Sequence, residues 1–393
     1  MSREDAKLAY SCKLNRNTMS KPPIIKTNVA VFIITGLIAL IATPMWAVSY
    51  GFDAVEIAVT VALFFFTGMS ITAGYHRLWA HKAFEAHPVV RLTLAIGGAM
   101  TLQNSILHWC SDHREHHKHV DHEEKDPYSA KKGLWYSHIG WMVREYNSNP
   151  YKAYENCKDL KKDKIVMWQH NYYLPIVLAA NFGLTGILGW LNGDVLSMML
   201  LAGVFRLAAV HHVTFFINSL AHYWGSQPYT DKNTARDNGV LAFFTFGEGY
   251  HNYHHIFEYD YRNGIQWWQY DPTKWLIYGL SRVGLTKNLR RCPEERIEKA
   301  KLQMQLLRAQ KEFTKYPNAE ALLEKLHAEY EAMSKKLVEY YAARRECFKQ
   351  RSEELKQGIE RLEMDYKLKE VKLAFKLQRE KWQAIVTMSP AMA

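Results

Sequence analysis

Two pairs of long apolar stretches constrain any fold of this 393-residue chain. From Asn28-Val29 to about Tyr50 no charge interrupts a run that includes Val-Phe-Ile-Ile-Thr-Gly-Leu-Ile-Ala-Leu-Ile-Ala. Ile57 to about Gly74 follows after the short link Gly51-Phe52-Asp53-Ala54. A helix needs roughly 20 apolar residues to cross a bilayer, so the pair reads as a transmembrane hairpin, with a buried hairpin of a water-soluble protein as the alternative. The second pair, Asn171 to Leu191 and Val195 to about Asn218, is joined by the turn Asn192-Gly193-Asp194. The mean hydropathy of −0.29 hides these runs because a charged C-terminal third dilutes them. Arg206, His211 and His212 sit inside the last run. Either they face the protein interior or the span is tilted and partly wet.

Lysines and arginines cluster before Val29, between Gly74 and Asn171, and after His222, and both tight turns lack them. The positive-inside rule then makes both termini and the middle segment cytoplasmic, in a multi-pass integral membrane protein. Met1 to Thr27 is polar and basic, and the apolar run after it is too long for the core of a cleaved leader, so none is expected. Val89 to Leu107 is expected as one amphipathic or partly embedded helix feeding into His113, since Arg91, Gln103 and Asn104 are costly in lipid. The net charge of +11 suggests an anionic partner. The apolar runs favour acidic lipid or a phosphorylated substrate. Nucleic acid is not expected, because the basic excess lies beside the spans and the tail mixes both signs. Cys12, Cys110, Cys157, Cys292 and Cys347 are scattered, with no CxxC pair, so neither a disulfide framework nor a thiolate zinc site is indicated. Free thiols in a reducing compartment are expected.

Beyond Cys292-Pro293 the chain is dominated by Glu, Lys, Arg, Leu and Ala, with a break at Pro317. Leu323, Leu326, Tyr330, Met333, Leu337 and Tyr340 step by threes and fours, the seam of a coiled coil or helical hairpin. Three regions are expected: a cytoplasmic segment 1–28, a membrane domain 29–292 with spans near 29–50, 55–75, 171–191 and 195–218, and a charged helical extension 293–393.

The chemistry is carried by histidine. His113, His116 and His117 repeat the HxxHH spacing of His251, His254 and His255, and on a helix three such imidazoles project from one face. His76 and His81 add a looser pair; their five-residue step is not one α-helical face, so His81 is expected on the turn beyond His76. His222 follows Asn218 by one helical turn. Eight or nine imidazoles exceed the needs of one ion, which implies two. Imidazole suits zinc, copper, iron and nickel alike, so ligand type leaves the metal open. A nitrogen-rich metal pair at a membrane face, with no serine or cysteine nucleophile beside it, points to oxygen chemistry on a lipid.

His76-Arg77-Leu78-Trp79-Ala80-His81, His113-Arg114-Glu115-His116-His117 and Gly247-Glu248-Gly249-Tyr250-His251-Asn252-Tyr253-His254-His255 resemble the three histidine boxes of the membrane fatty-acid desaturases, in particular the Δ9, stearoyl-CoA branch. Further matches are Ile71-Thr72-Ala73-Gly74, Gln103-Asn104, Trp109, Asn218-Ser219-Leu220-Ala221-His222 and the stretch Trp267 to Trp275, so the likeness covers about Val29 to Arg291. The resemblance implies an all-α fold of four transmembrane helices in two hairpins, with a cytoplasmic helical cap around a di-iron site. It implies ligation by His76, His81, His113, His116, His117, His222, His251, His254 and His255, with Asn218 holding a metal-bound water and no catalytic side chain beyond these ligands. It also implies that O₂ and two electrons are used to remove two hydrogens, at C9 and C10 of a saturated acyl chain, leaving a cis double bond and water.

Asp112 and Glu248 flank ligand histidines and are expected to orient their outer N–H groups, with surface or capping carboxylates as the alternative. Trp109 and Thr214 lie one helical turn before His113 and Asn218, positions that in the family shape the bend of an acyl tunnel. Phe64 and Gly68 lie deeper on the stripe that carries His76 and match positions that close the tunnel's end; Gly68 would leave room for the chain terminus, or pack at a helix crossing. Gln103 and Asn104 are counted among the substrate contacts. Lys131 and Lys132 would pair with acyl-CoA phosphates or with anionic headgroups. Glu258 stands where many relatives have proline; it lies outside the ligand set and is expected to bear little on activity. The tail carries no His-Pro-Gly-Gly heme motif of a fused cytochrome b5, so electrons are expected from a separate protein: a ferredoxin, a cytochrome b5 or an NAD(P)H reductase. An acyl-CoA substrate is favoured, with an acyl-lipid or a carrier-bound acyl chain as the alternatives. A bacterial inner membrane is favoured over the endoplasmic reticulum. A di-iron lipid hydroxylase and a non-catalytic membrane scaffold recruiting partners through the tail are the competing readings.

Overall fold

The computed structural model describes residues 22–146, 154–352 and 359–388. Cys12, most of segment 1–28 and Gly358 lie outside the described residues. The principal helices are α1 (Lys26–Ser49), α2 (Ala54–Ala80), α3 (Pro88–Ala99), α4 (Ile106–His119), α5 (Lys164–Asn171), α6 (Tyr173–Asn192) and α7 (Val195–His222). They continue with α8 (Gly239–Phe244), α9 (His251–Ile256), α10 (Pro272–Arg282), α11 (Glu294–Phe313), α12 (Ala319–Ser352) and α13 (Ile359–Val386). Of these, α1, α2, α6 and α7 are long and apolar enough to cross a membrane. Their outer faces carry large apolar side chains with no protein cover: Leu40 is 79% exposed and Val48 89% exposed. Surface of that kind is stable against lipid and not against water.

The two hairpins are held together at their tips. Asp53 caps α2 by accepting the N–H of Glu56 at 2.8 Å, Glu56 reciprocates to the N–H of Asp53 at 2.9 Å, and Asn192 in the other tip donates to Asp53 at 2.7 Å. Gly193 takes a φ of 93°, which a side chain would oppose, and so permits the tight reversal into α7.

Val89 to Leu107 is not one helix. It splits into α3 and α4 around Met100–Ser105, where Leu102 and Asn104 adopt positive φ. The charges of the last span explain the break. Arg206 is fully buried and donates to the carbonyls of Ala202 and Met100, both at 3.0 Å, and to the side chain of Asn181 on α6 at 2.5 Å. The Nε2 of His211 meets the Thr101 carbonyl at 2.7 Å. Carbonyls released where the helix stops satisfy polar groups that lipid would leave bare. Arg206 and His211 therefore face inward, while the exposed His212 pairs with His138 at 3.1 Å.

Beyond His81 the chain returns to the bundle through a two-residue antiparallel pairing of Glu85–Ala86 (β1) with Thr286–Lys287 (β2). The last three helices bury Leu326, Met333, Leu337, Phe375 and Trp382 in a core of their own. The base of α11 packs elsewhere: Ile297 and Ala300 join Tyr229, Tyr253, Phe257 and Cys292 behind α9.

Candidate metal centre

The end of α2 departs from α-helical geometry. Ser70–Ala80 winds as a π-helix, and the N–H of His81 reaches the carbonyl of His76 at 3.1 Å. In an α-helix a five-residue step would turn the two side chains about 140° apart. The wider turn brings their rings to 4.8 Å between centroids, so HxxxxH does present one face. His113, His116 and His117 project from α4, whose start is capped by Ser105. His222 ends α7. His251, His254 and His255 lie on the six-residue α9, too short to hold itself. Asp237 accepts the N–H of Tyr253 at 3.0 Å, and Asn252 locks the preceding loop by accepting from Tyr229 at 2.9 Å and donating to Thr230 at 2.8 Å.

These four segments bring all nine histidines together in two groups: His76, His81, His113, His117 and His254 in one, His116, His222, His251 and His255 in the other, each with ligand atoms within 4.8 Å of one another. Neighbours at HxxHH spacing are thus divided between groups. The Nε2 atoms face inward, with His76 2.9 Å and His117 3.0 Å from His254, His81 2.8 Å from His113, His222 3.0 Å from His251 and His116 3.3 Å from His255.

Five of the outward Nδ1 atoms lie against oxygen, while those of His251 and His254 are buried with no hydrogen-bond partner among the described residues. That of His76 lies 3.0 Å from Glu248, that of His116 2.9 Å from Asp126 and that of His117 3.0 Å from Glu258. His113 meets the Tyr128 hydroxyl at 3.1 Å, and His222 meets the Thr234 hydroxyl at 2.9 Å. Because Thr234 donates its own proton to Asp121, it accepts from His222. An ionised carboxylate can only accept, so His76, His116 and His117 carry their protons outside and turn lone pairs inward. His76 and His117 then both present lone pairs to the Nε2 of His254, which has at most one proton to share. Cations between the nitrogens resolve that conflict, so the donor set fits two metal ions.

Electrostatics favour the same state. Burial, reinforced by neighbouring imidazoles, holds His81, His113, His251, His254 and His255 well below the usual histidine range, and takes His117 down to about 4. Neutral imidazole is the form that binds metal. Burial opposes the charged form of Glu248, but His76 and Arg77 outweigh it and hold it down to about 2. Arg77 is itself buried, donating to Glu248 at 2.8 Å, to the Tyr261 carbonyl at 2.8 Å and to Asp271 at 3.1 Å. One guanidinium thereby ties the first box to the third and to the aromatic stretch after it.

A cavity of 30 Å³ lies against the nitrogens, lined by Ile71, Thr72, Trp109, Thr214, Ile217 and Asn218 besides histidines and Glu248. Trp109 stacks on His113 with centroids 4.8 Å apart. Gln103 donates to Thr214 at 3.1 Å, and the carbonyl of Asn104 accepts from Tyr75. Phe64 packs on Phe246. Gly68 does not leave room for a chain terminus: a Cβ there would lie 2.2 Å from the Phe246 ring, which fills the space. Asp112 does not orient a box imidazole; its carboxylate lies 3.4 Å from His108, and burial pushes it up to about 6. Lys131 and Lys132 are exposed on a short 3₁₀ turn, with Lys132 over the Tyr136 ring. Sequence reasoning missed Arg77, Asp126, Tyr128, Thr234 and the part of Glu258. Arg77 alone carried a local signal, as a charge beside His76 at the end of an apolar span.

The architecture defines a class: a helical protein with four helices able to span a membrane, whose histidines converge in two groups that could each hold a metal ion. Residues 54–282 match the family described as fatty acid desaturase, and the chain belongs to it. It is 47% identical over 240 residues to the probable acyl-CoA desaturase of Schizosaccharomyces pombe, covering 61% of this chain and 50% of that protein. It is 46% identical over 239 residues to acyl-CoA desaturase 1 of Saccharomyces cerevisiae, covering 61% of this chain and 46% of that protein. To stearoyl-CoA desaturase 5 of Bos taurus it is 35% identical over 242 residues, 61% of this chain and 72% of that one. The chain thus spans about half the length of the two yeast relatives. All three come from eukaryotes, which removes the ground for preferring a bacterial inner membrane.

Proposed function

We propose that this chain is an O₂-dependent fatty acyl desaturase of the endoplasmic reticulum, placing a cis double bond at C9–C10 of a saturated long-chain acyl-CoA. Nine inward-facing imidazole nitrogens in groups of five and four carry this reading. All nine box and α7 histidines would be ligands, with Asn218 reaching the second group through a water. When bound, an iron pair supplies the redox chemistry with O₂ that no side-chain acid or base can perform on an unactivated C–H bond. The balance is closed: two hydrogens leave the chain with their electrons, two further electrons arrive from a donor protein and two protons from water, and O₂ ends as two waters. The relatives' names support the acyl-CoA substrate, and their organisms support the endoplasmic reticulum.

The protein's own groups position the chain. Thr214 accepts from Gln103 and donates to the Val210 carbonyl, so the hydroxyl it sets beside Ile71 and Ile217 presents little unpaired polarity to a methylene chain. Trp109, fixed on His113, sets how near a bend of that chain comes to the first group. Arg77, Glu248 and Asp126 hold imidazoles in one tautomer. Lys131 and Lys132 lie on the surface where they would meet the phosphates of the carrier, Lys132 from its place over the Tyr136 ring.

The test is expression in a desaturase-deficient host with gas chromatography and mass spectrometry of derivatised fatty acids, beside a His116→Ala control. A new cis-Δ9 monoene that vanishes in the control is expected. Hydroxylated chains would instead support a di-iron hydroxylase, and no product despite two bound irons and a supplied donor would reject the enzyme reading.

A further inference from the structure

Three carboxylates touch the outer nitrogens of the nine histidines, and one of them differs in kind. Glu248 and Asp126 are buried, whereas Glu258 is 51% exposed. Its Oε2 lies 3.0 Å from the Nδ1 of His117 and 4.0 Å from that of His81, two imidazoles of the same five-membered group. It stands on the rim of an open cleft of 370 Å³, lined by His81, Lys82, Arg114, His117 and Lys118, through which that group is reached from solvent. Among the described residues the four-membered group has no comparable contact: Asp126 and Thr234 serve it from inside.

We propose that Glu258 is a positioning residue for the five-histidine group, fixing the His117 tautomer from the solvent side and setting that group's metal affinity independently of the other. The proposal rests on the reading of the nine histidines as two metal sites. A carboxylate accepting from Nδ1–H makes Nε2 a better donor and fixes the ring's aim. For His117 that acceptor is Glu258.

The full chain is purified in detergent, loaded with Fe(II), and its two irons are followed by release to a competing chelator and by Mössbauer spectroscopy. Wild type is expected to release two irons in separable phases. In Glu258→Ala one iron leaves about 10-fold faster, as outer contacts are commonly worth 10–100-fold in metal affinity, with one spectral component altered and the other intact. Formate, small enough for the open cleft, restores the slow phase. Unchanged release in Glu258→Ala, or equal loss of both irons without rescue, overturns the proposal. Wild-type protein holding fewer than two irons would instead count against the reading of the metal sites.

Discussion

The N–H of His81 donates to the carbonyl of His76 across a five-residue turn, and that one hydrogen bond puts both imidazoles in the same group. Inserting an alanine after Leu78 lengthens the step to six residues, which neither an α- nor a π-turn brings back to one face. His81 should then lose the site while α2 remains helical. Iron content measured by mass spectrometry should fall by about one ion per chain, with helical circular dichroism unchanged.

Gly68 and Phe246 fill one space. Gly68→Leu forces the ring aside, and an overpacked site typically costs about 1–3 kcal/mol. The melting temperature in detergent should drop, and adding Phe246→Ala to the same chain should recover most of the loss. A double variant no more stable than Gly68→Leu would show that the contact is not the cause.

Arg206 satisfies three acceptors in the interior of the bundle. Arg206→Met leaves the Met100 carbonyl and Asn181 without their donor, at about 1–3 kcal/mol for each buried group left unsatisfied. The Met100–Ser105 break should loosen, and proteolysis or hydrogen exchange should increase there first.

Ile297 belongs to the C-terminal region but packs behind α9 with Tyr253 and Phe257. Ile297→Asp buries an unpaired charge against the helix that carries three histidines, so iron loading should fall. Leu362→Asp, on the exposed face of α13, should leave loading unchanged. Equal effects from both would mean that the tail acts through solubility alone.

What the sequence by itself determined are the features written in local periodicity. Runs of apolar residues near Val29, Ile57, Asn171 and Val195 were long enough to span because hydrophobic length needs no partner to be read. HxxHH placed three imidazoles on one face of α4 because i, i+3 and i+4 coincide on any helix. The π-turn at His76, the break before α4, the closure of Gly68 by Phe246 and the contact of Glu258 with His117 were decided by the tertiary structure. The last three depend on residues distant in sequence: Arg206 sits 106 positions from Met100, Phe246 meets Gly68 from another segment, and Glu258 meets His117 from a third. The division into five and four has the same origin. His116 and His117 are adjacent in the chain, yet one turns to His255 and the other to His254, because neighbouring side chains on a helix diverge by about 100° and only the packing of α9 against α4 says which partner each one meets.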